Sequence, residues 1–395
     1  MQYADRTGRS LGGSTLQDRF LENLYASFLG RMLIKPLVHP AFSKICGVFL
    51  DSPLSAPIIP GFMKSAGICA EDCETPAGGR YRSFNAFFTR RMLPEARPFD
   101  ARDHILCSPC DGFASVYPIH NNMRITIKHT QYTLEQLLRD SGLAARYAGG
   151  TALLLRLTVS DYHRYAYVDR GRRSSYRRIP GVLHTVNPAA ASRRPVYKEN
   201  SREYSLLRTG TFGTVLMMEI GALMVGKIVN HHKAYTSIDV FRGQEKGYFA
   251  FGGSSILLLF QPGTVAIDRD IMRNTALDVE TRVRMGEAIG QAMTANEMNP
   301  NEMNPNEMNS NEMNSIKCSQ LNVPTLNVPT LNVPSTKPPQ FLPGTAEVFL
   351  LHFHAVSFYL LKHKLLSKVV LKLSNRNPYL LHGIPVADCY CMVFF

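Results

Sequence analysis

Three stretches of this chain are apolar at nearly every position: "TALLLRLTV" at 151–159, "GTVLMMEIGALMVGKIV" at 213–229 and "YFAFGGSSILLLF" at 248–260. A strand with one wet face alternates apolar and polar residues. Near-continuous apolar runs fit strands buried on both faces, so other layers must cover both sides of their sheet. "MRITIK" at 123–128 does alternate, as a half-exposed strand does. One helix interrupts the strands, where Thr133 and Gln136 form a capping box before Leu134, Leu137 and Leu138. The first 95 residues are helical in texture. In "LQDRFLENLYASFLGRMLIK" the residues Leu16, Phe20, Leu21, Leu24, Tyr25, Phe28, Leu29, Met32 and Leu33 recur at helical spacing. The expected fold class is α+β, with N-terminal helices packed on a mostly antiparallel β-sheet core.

The third run carries an anomaly. Gly252, Gly253, Ser254 and Ser255 interrupt it. Glycine weakens a strand and marks a bulge or a close backbone approach. Two other strand ends carry chemistry. "SPCDGFASVYPI" puts Asp111 in a turn before a strand, and "LTVSDYHRYAY" puts His163 just past one. An acid, an imidazole and a hydroxyl are the parts of an activated nucleophile. Taken alone, such a trio also occurs by chance in a chain of 395 residues.

The formal net charge of +13 suits an anionic partner. The densest basic cluster, "RGRRSSYRR" at 170–178, has one aromatic residue and no RNA-binding signature around it. That favours an anionic lipid surface over nucleic acid. No apolar run reaches the ~18 residues of a spanning helix, so membrane contact is expected to be peripheral. The sequence opens with no secretory signal. Cys69 and Cys73, and Cys107 and Cys110, have spacings that a zinc site would use, but Cys110 adjoins Asp111. The reading is therefore of unlinked thiols and no metal. Residues 296–315 repeat "NEMNP" and "NEMNS", and 321–335 repeat "LNVPT" and "LNVPS". Five-residue periods rich in Asn and Pro cannot build a packed core, so 294–345 reads as a low-complexity linker. The tail 346–395 is apolar again and of no assigned role.

Six stretches, in this order, resemble the phosphatidylserine decarboxylase family in its bacterial-type branch. They are "SFNAFFTRRMLPEARPFD", "SPCDG", "DYHRYAYVDRG", "GVLHTVNP", "EIGALMVGKI" and "KGYFAFGGSSILLLF". The resemblance covers roughly residues 15–293. It implies a proenzyme that cuts itself between Gly253 and Ser254, giving fragments 1–253 and 254–395. Ser254 would become a covalent pyruvoyl cofactor, whose Schiff base with phosphatidylserine releases CO2 and leaves phosphatidylethanolamine. His163 would be the general base and Asp111 would steady its imidazolium; either His163 covers proton transfer alone, or His184 assists at the substrate, a residue that a loop hydrogen bond would equally explain. The domains implied are a membrane-associating helical region at 1–95 and a catalytic core at 96–293. The membrane-bound substrate is anionic, which matches the charge. One departure stands out: many members carry a second His three residues after the first, where this chain has Ala166.

Two other readings compete. A serine hydrolase would use Asp111, His163 and Ser254 uncleaved, within a G-x-S-x-G elbow. "GGSSI" lacks the closing glycine. A non-enzymatic lipid-binding protein would tolerate damage to the Gly–Ser pair or the acid, and both are intact.

Overall fold

A computed structural model of the chain describes residues 2–12, 21, 23–76, 78–223, 227–232, 234–250 and 254–293. The repeats, the apolar tail and Gly253 lie outside them. Among the described residues nineteen strands follow in chain order. The large sheet holds eleven of them: β1 (Gln2–Ala4), β2 (Ser10–Gly12), β4 (Gly112–Pro118), β7 (Thr151–Leu157), β9 (Gly171–Arg173), β10 (Arg177–Ile179), β11 (Arg202–Thr209), β12 (Thr214–Gly221), β14 (Ile238–Val240), β16 (Ser254–Phe260) and β18 (Val279–Val283). Their order is β14-β9-β11-β12-β16-β7-β4-β18-β1-β2, with β10 paired beside β11. All these pairs are antiparallel except β1 with β18. Three smaller sheets are β13 (Ile228–Asn230) with β15 (Glu245–Phe249) and β8 (Arg164–Ala166); β17 (Val265–Ile267) with β19 (Ala288–Ala292) and β3 (Ile105–Cys107); and β5 (Arg124–Ile127) with β6 (Thr130–Thr133). The α+β expectation holds.

The apolar runs are explained by two cores, one on each face of the large sheet. Leu154, Leu216, Met218, Ile220, Leu257 and Leu259 join one cluster with helical Leu134, Leu137, Leu138 and Tyr197. The alternate residues Leu153, Leu155, Leu157, Met217, Ile256 and Leu258 join the other, with Tyr165 and Phe249 from a small sheet. Side chains alternate faces along a strand, so covering both faces makes every position apolar. The capping box of 133–136 is half realised: Thr133 Oγ1 accepts from Gln136 N at 3.2 Å and starts the helix Leu134–Leu138.

Three expected elements differ. The run 248–260 is not one strand: β15 ends at Phe249 and β16 begins at Ser254, in different sheets. Likewise 213–229 divides between β12 and β13. The N-terminal helix also breaks. Ser27 adopts an extended conformation and its Oγ accepts from Gly30 N at 3.0 Å, capping a new helix at Phe28–Leu37. The break divides the apolar face. Leu21, Tyr25 and Ile34 are buried, whereas Phe28 and Met32 are 70% and 56% exposed. Leu16 and Phe20 lie outside the described residues, as do the side chains of Leu29 and Leu33.

Candidate active site

The site lies where β4, β7 and β16 share one end. β7 is central, pairing with β4 through Phe113–Arg156 and with β16 through Leu157–Ser254. Asp111 immediately precedes β4. Thr158 to His163 follow β7. Ser254 opens β16, with Gly221 of β12 on its other side. The sheet therefore brings the ends of three motifs together, across separations of 52 and 91 residues in sequence between Asp111, His163 and Ser254. Gly112 is needed at this join. Its φ is +151°, and a Cβ there would meet the Arg156 carbonyl oxygen at 2.6 Å.

Strand pairing also places the segment bearing His163 and the strand headed by Ser254 at one junction between two sheets. β7 pairs with β16 in the large sheet, and β8 pairs with β15 in the small one. Residues 158–163 thus link the same two sheets in which Phe249 and Ser254 lie. His163 O accepts from Phe249 N at 2.9 Å, at the end of β15. Ser254 is fully buried. It shares strand parity with Ile256 and Leu258, so it faces the side on which the small sheet packs. Its Oγ has no hydrogen-bond partner among the described residues.

His163 is also fully buried and is held from two directions. Its ring lies on that of Phe88, with centroids 4.0 Å apart and planes at 34°. Nδ1 is 2.9 Å from the Asp161 carbonyl oxygen. A carbonyl only accepts, so Nδ1 carries the proton and Nε2 keeps the basic lone pair. Asp161 is fixed in turn: its Oδ2 accepts from Thr158 N at 2.6 Å and from Thr158 Oγ1 at 2.8 Å, and its other oxygen pairs with Arg282.

The carboxylate expected to steady this ring is engaged elsewhere. Asp111, 2% exposed, receives a two-pronged Arg97 at 2.8 and 2.7 Å and the Met285 N–H at 2.8 Å. A bidentate guanidinium matches a carboxylate better than an imidazole does. The backbone carbonyl of Asp161 holds Nδ1 instead. Ala166, where a second His was expected, donates its N–H to Pro109 O at 2.9 Å, beside the Asp111 turn.

His184 occupies a separate setting. Nδ1 lies 3.2 Å from Tyr25 Oη and Nε2 lies 3.3 Å from Glu199 Oε2. A neutral ring protonated at Nε2 satisfies both. Burial, then the Arg194 charge, lowers its pKa to about 4, outweighing the nearby carboxylate. His184 borders a cavity of about 1260 Å³ lined by Ile34, Lys35, Val38, Arg139, Arg194 and Lys198 among others. Its carbonyl accepts from Leu223 N at 3.3 Å, and Asn200 Nδ2 links that carbonyl to Gly221 O, each at 2.8 Å. Gly221 is the strand partner of Ser254.

Among the described residues no group of three or more His, Cys, Asp or Glu side chains could hold a metal ion. Sequence reasoning missed Phe88, Arg97 and Asp161 as site residues, although all three sit inside quoted motifs. It also missed Arg282, which no motif announces.

The comparisons with known proteins agree in direction. The family model described as phosphatidylserine decarboxylase matches residues 84–291. A phosphatidylserine decarboxylase proenzyme 2 from Clostridium acetobutylicum is 43% identical over 273 residues, spanning 69% of this chain and 91% of the relative. Proteins named phosphatidylserine decarboxylase proenzyme from Ruminiclostridium cellulolyticum and Clostridium botulinum are 41% and 38% identical, each with 92% of its length covered and 70% and 69% of this chain. With a family model matched over more than half of its length and relatives about 40% identical along nearly their whole length, this chain belongs to the phosphatidylserine decarboxylase family.

Proposed function

We propose that this enzyme is made as a proenzyme, cuts itself between Gly253 and Ser254, and then decarboxylates phosphatidylserine to phosphatidylethanolamine. The observation that carries the reading is Ser254. Its unpartnered, fully buried hydroxyl heads a central strand directly after two glycines. Burying a hydroxyl without a partner costs about 1–3 kcal/mol, which a reacting group justifies and a structural one does not.

In this reading Nε2 of His163 takes the Ser254 Oγ proton. Oγ attacks the Gly253 carbonyl carbon, and collapse of the tetrahedral intermediate expels the Ser254 nitrogen, so an ester replaces the amide. Glycine at 253 leaves the attacked carbonyl unhindered. Loss of the Ser254 α-proton then breaks the Cβ–Oγ bond. Gly253 leaves as a carboxylate and residue 254 becomes dehydroalanine. Its enamine tautomerises to an imine, and water releases ammonia to leave a pyruvoyl group. The position suits that group. A free seryl terminus would place an ammonium at a fully buried strand head, and a ketone removes that charge. When formed, the pyruvoyl group supplies an electron sink for the electrons that CO2 leaves behind. His163 stays in place to return the proton. The His184 cavity is lined by Lys35, Arg139, Arg177, Arg194 and Lys198 against Glu135, Asp140 and Glu199, a small basic excess that suits a lipid phosphate, and His184, neutral at pH 7, is a hydrogen-bonding group for the bound headgroup.

Asp111 acts by position. Its pair with Arg97 ties the segment bearing Phe88 to the strand end, and Met285 N ties in the downstream fragment. The test is intact mass under denaturing conditions. Two fragments split at 253/254, the smaller one resistant to Edman degradation, are expected. A single uncut chain in active protein sinks the reading. A free seryl terminus on the smaller fragment removes the pyruvoyl step.

A further inference from the structure

A fully buried pair of opposite charges lies between the large sheet and the sheet β13-β15-β8. Lys246 of β15 and Glu219 of β12 are both inaccessible to solvent, with Nζ 2.6 Å from Oε1. Nζ also donates to Asn230 Oδ1 at 3.1 Å, and Asn230 Nδ2 donates to Glu203 Oε2 on β11 at 3.2 Å. The Tyr176 ring faces Nζ at 5.0 Å. Burial drives Glu219 up and Lys246 down, each toward its neutral form, and the partner's charge opposes that drive. Apolar residues of similar volume often stabilise such a place as well or better. What they do not provide is direction. A charge-assisted hydrogen bond fixes both distance and orientation between the elements it joins.

The elements joined here frame the proposed cut. Glu219 stands opposite Ile256, two residues after Ser254. Lys246 lies three residues before Phe249, whose N–H is held by His163 O. Only residues 250–253 separate these two anchored ends. We propose that Lys246 and Glu219 are positioning residues, whose ion pair holds the strand before the scissile segment at a fixed place against the strand after it. They thereby set the approach of Ser254 Oγ to the Gly253 carbonyl carbon. The proposal rests on the self-cleavage reading above. Neither side chain transfers a proton; both act through the backbone of their strands.

The test follows cleavage of the freshly translated full-length chain by gel. A Glu219→Leu/Lys246→Met double variant replaces the pair with apolar groups of similar size. Folding of each variant is checked by circular dichroism and thermal unfolding in a Ser254→Ala background, where no cut occurs. Misplacement by about 1 Å costs on the order of 10²-fold in rate, so the double variant should cleave about that much more slowly at a temperature well below its unfolding midpoint. The pH midpoint of its cleavage rate should be unchanged, because the base is untouched. Glu219→Asp keeps the charge and shortens the tether by one methylene, so it too should slow cleavage, and it decides the matter if the double variant does not fold. A wild-type rate in the folded double variant, or in Glu219→Asp, overturns the positioning role. So does a shifted pH midpoint, which would mean the pair acts on the base electrostatically. A wild-type chain that never cleaves removes the self-cleavage reading itself, whereas a cleaving wild type with unaffected variants removes only the positioning role.

Discussion

At the scale of residues, the roles proposed for two histidines differ because their surroundings differ. His163 has its tautomer set by the Asp161 carbonyl and its plane set by Phe88. His163→Ala should therefore stop self-cleavage over hours, since a positioned base contributes ~10²–10⁴-fold. His184→Ala should mature normally and then decarboxylate poorly, read as CO2 release from phosphatidylserine vesicles. Maturation of His163→Ala at the wild-type rate would assign the base elsewhere. His184 also makes stability depend on pH. Its pKa is about 4 when folded, below its ordinary 6.5, so between those values the unfolded chain binds more protons. Stability should be fully present above pH ~6.5 and fall as the pH drops toward 4. The thermal midpoint of a Ser254→Ala chain over that window measures it, and His184→Gln should flatten the fall. His163 and Ser254 were legible in sequence because each sits in a distinctive local string. That Asp111 takes Arg97 as partner was not legible, because nothing in "SPCDG" states which side chain will meet it across the fold.

At the scale of elements, the N-terminal helices show an outward apolar face. Phe28 and Met32 on Phe28–Leu37, Ile45, Val48 and Phe49 on the helix Pro40–Asp51, and Leu54 just beyond it are all exposed. Among the described residues no single helix is long and apolar enough to cross a membrane; one pair, Pro40–Asp51 and Pro53–Ala66, passes by length and composition together but is bent by 82°. Lying in the interface with these side chains inserted is the arrangement we propose. Replacing Phe28, Met32 and Val48 together with Ser should weaken flotation with anionic vesicles at least tenfold, while self-cleavage in detergent proceeds as before. Undiminished vesicle binding would move the membrane face elsewhere. The helical spacing was readable from sequence. Which apolar residues face outward was not, because the break at Ser27 turns the second segment relative to the first.

At the scale of the whole molecule, the proposed cut leaves two chains that share one core. β16 belongs to the downstream fragment, yet it lies between β12 and β7 of the upstream one. Glu280 of β18 is buried against Arg156 and Lys128, whose charges hold its carboxyl below the usual range despite burial. Arg6 reaches Asp268 at 2.6 Å across the same division. The fragments should therefore co-elute in non-denaturing gel filtration and separate only in denaturant. Glu280→Gln removes one partner of a buried pair, which typically costs about 3–5 kcal/mol, so it should lower the denaturant midpoint of the mature protein clearly. Fragments that part in plain buffer would contradict this arrangement.

Local pattern was enough to specify several things. Runs with no polar alternation required strands covered on both faces, and the strings around Asp111, His163 and Ser254 marked three strand ends and the place of the proposed cut. These are short-range properties, carried by neighbours in the chain. Tertiary structure alone decided that Phe249 and Ser254 would stand in two different sheets, that a carbonyl and not a carboxylate would hold His163, and that Lys246 would meet Glu219 in the dry space between sheets. Each depends on strand register and on the packing of one sheet against another. Those are set by the sum of many contacts across the core, which no short string of residues contains.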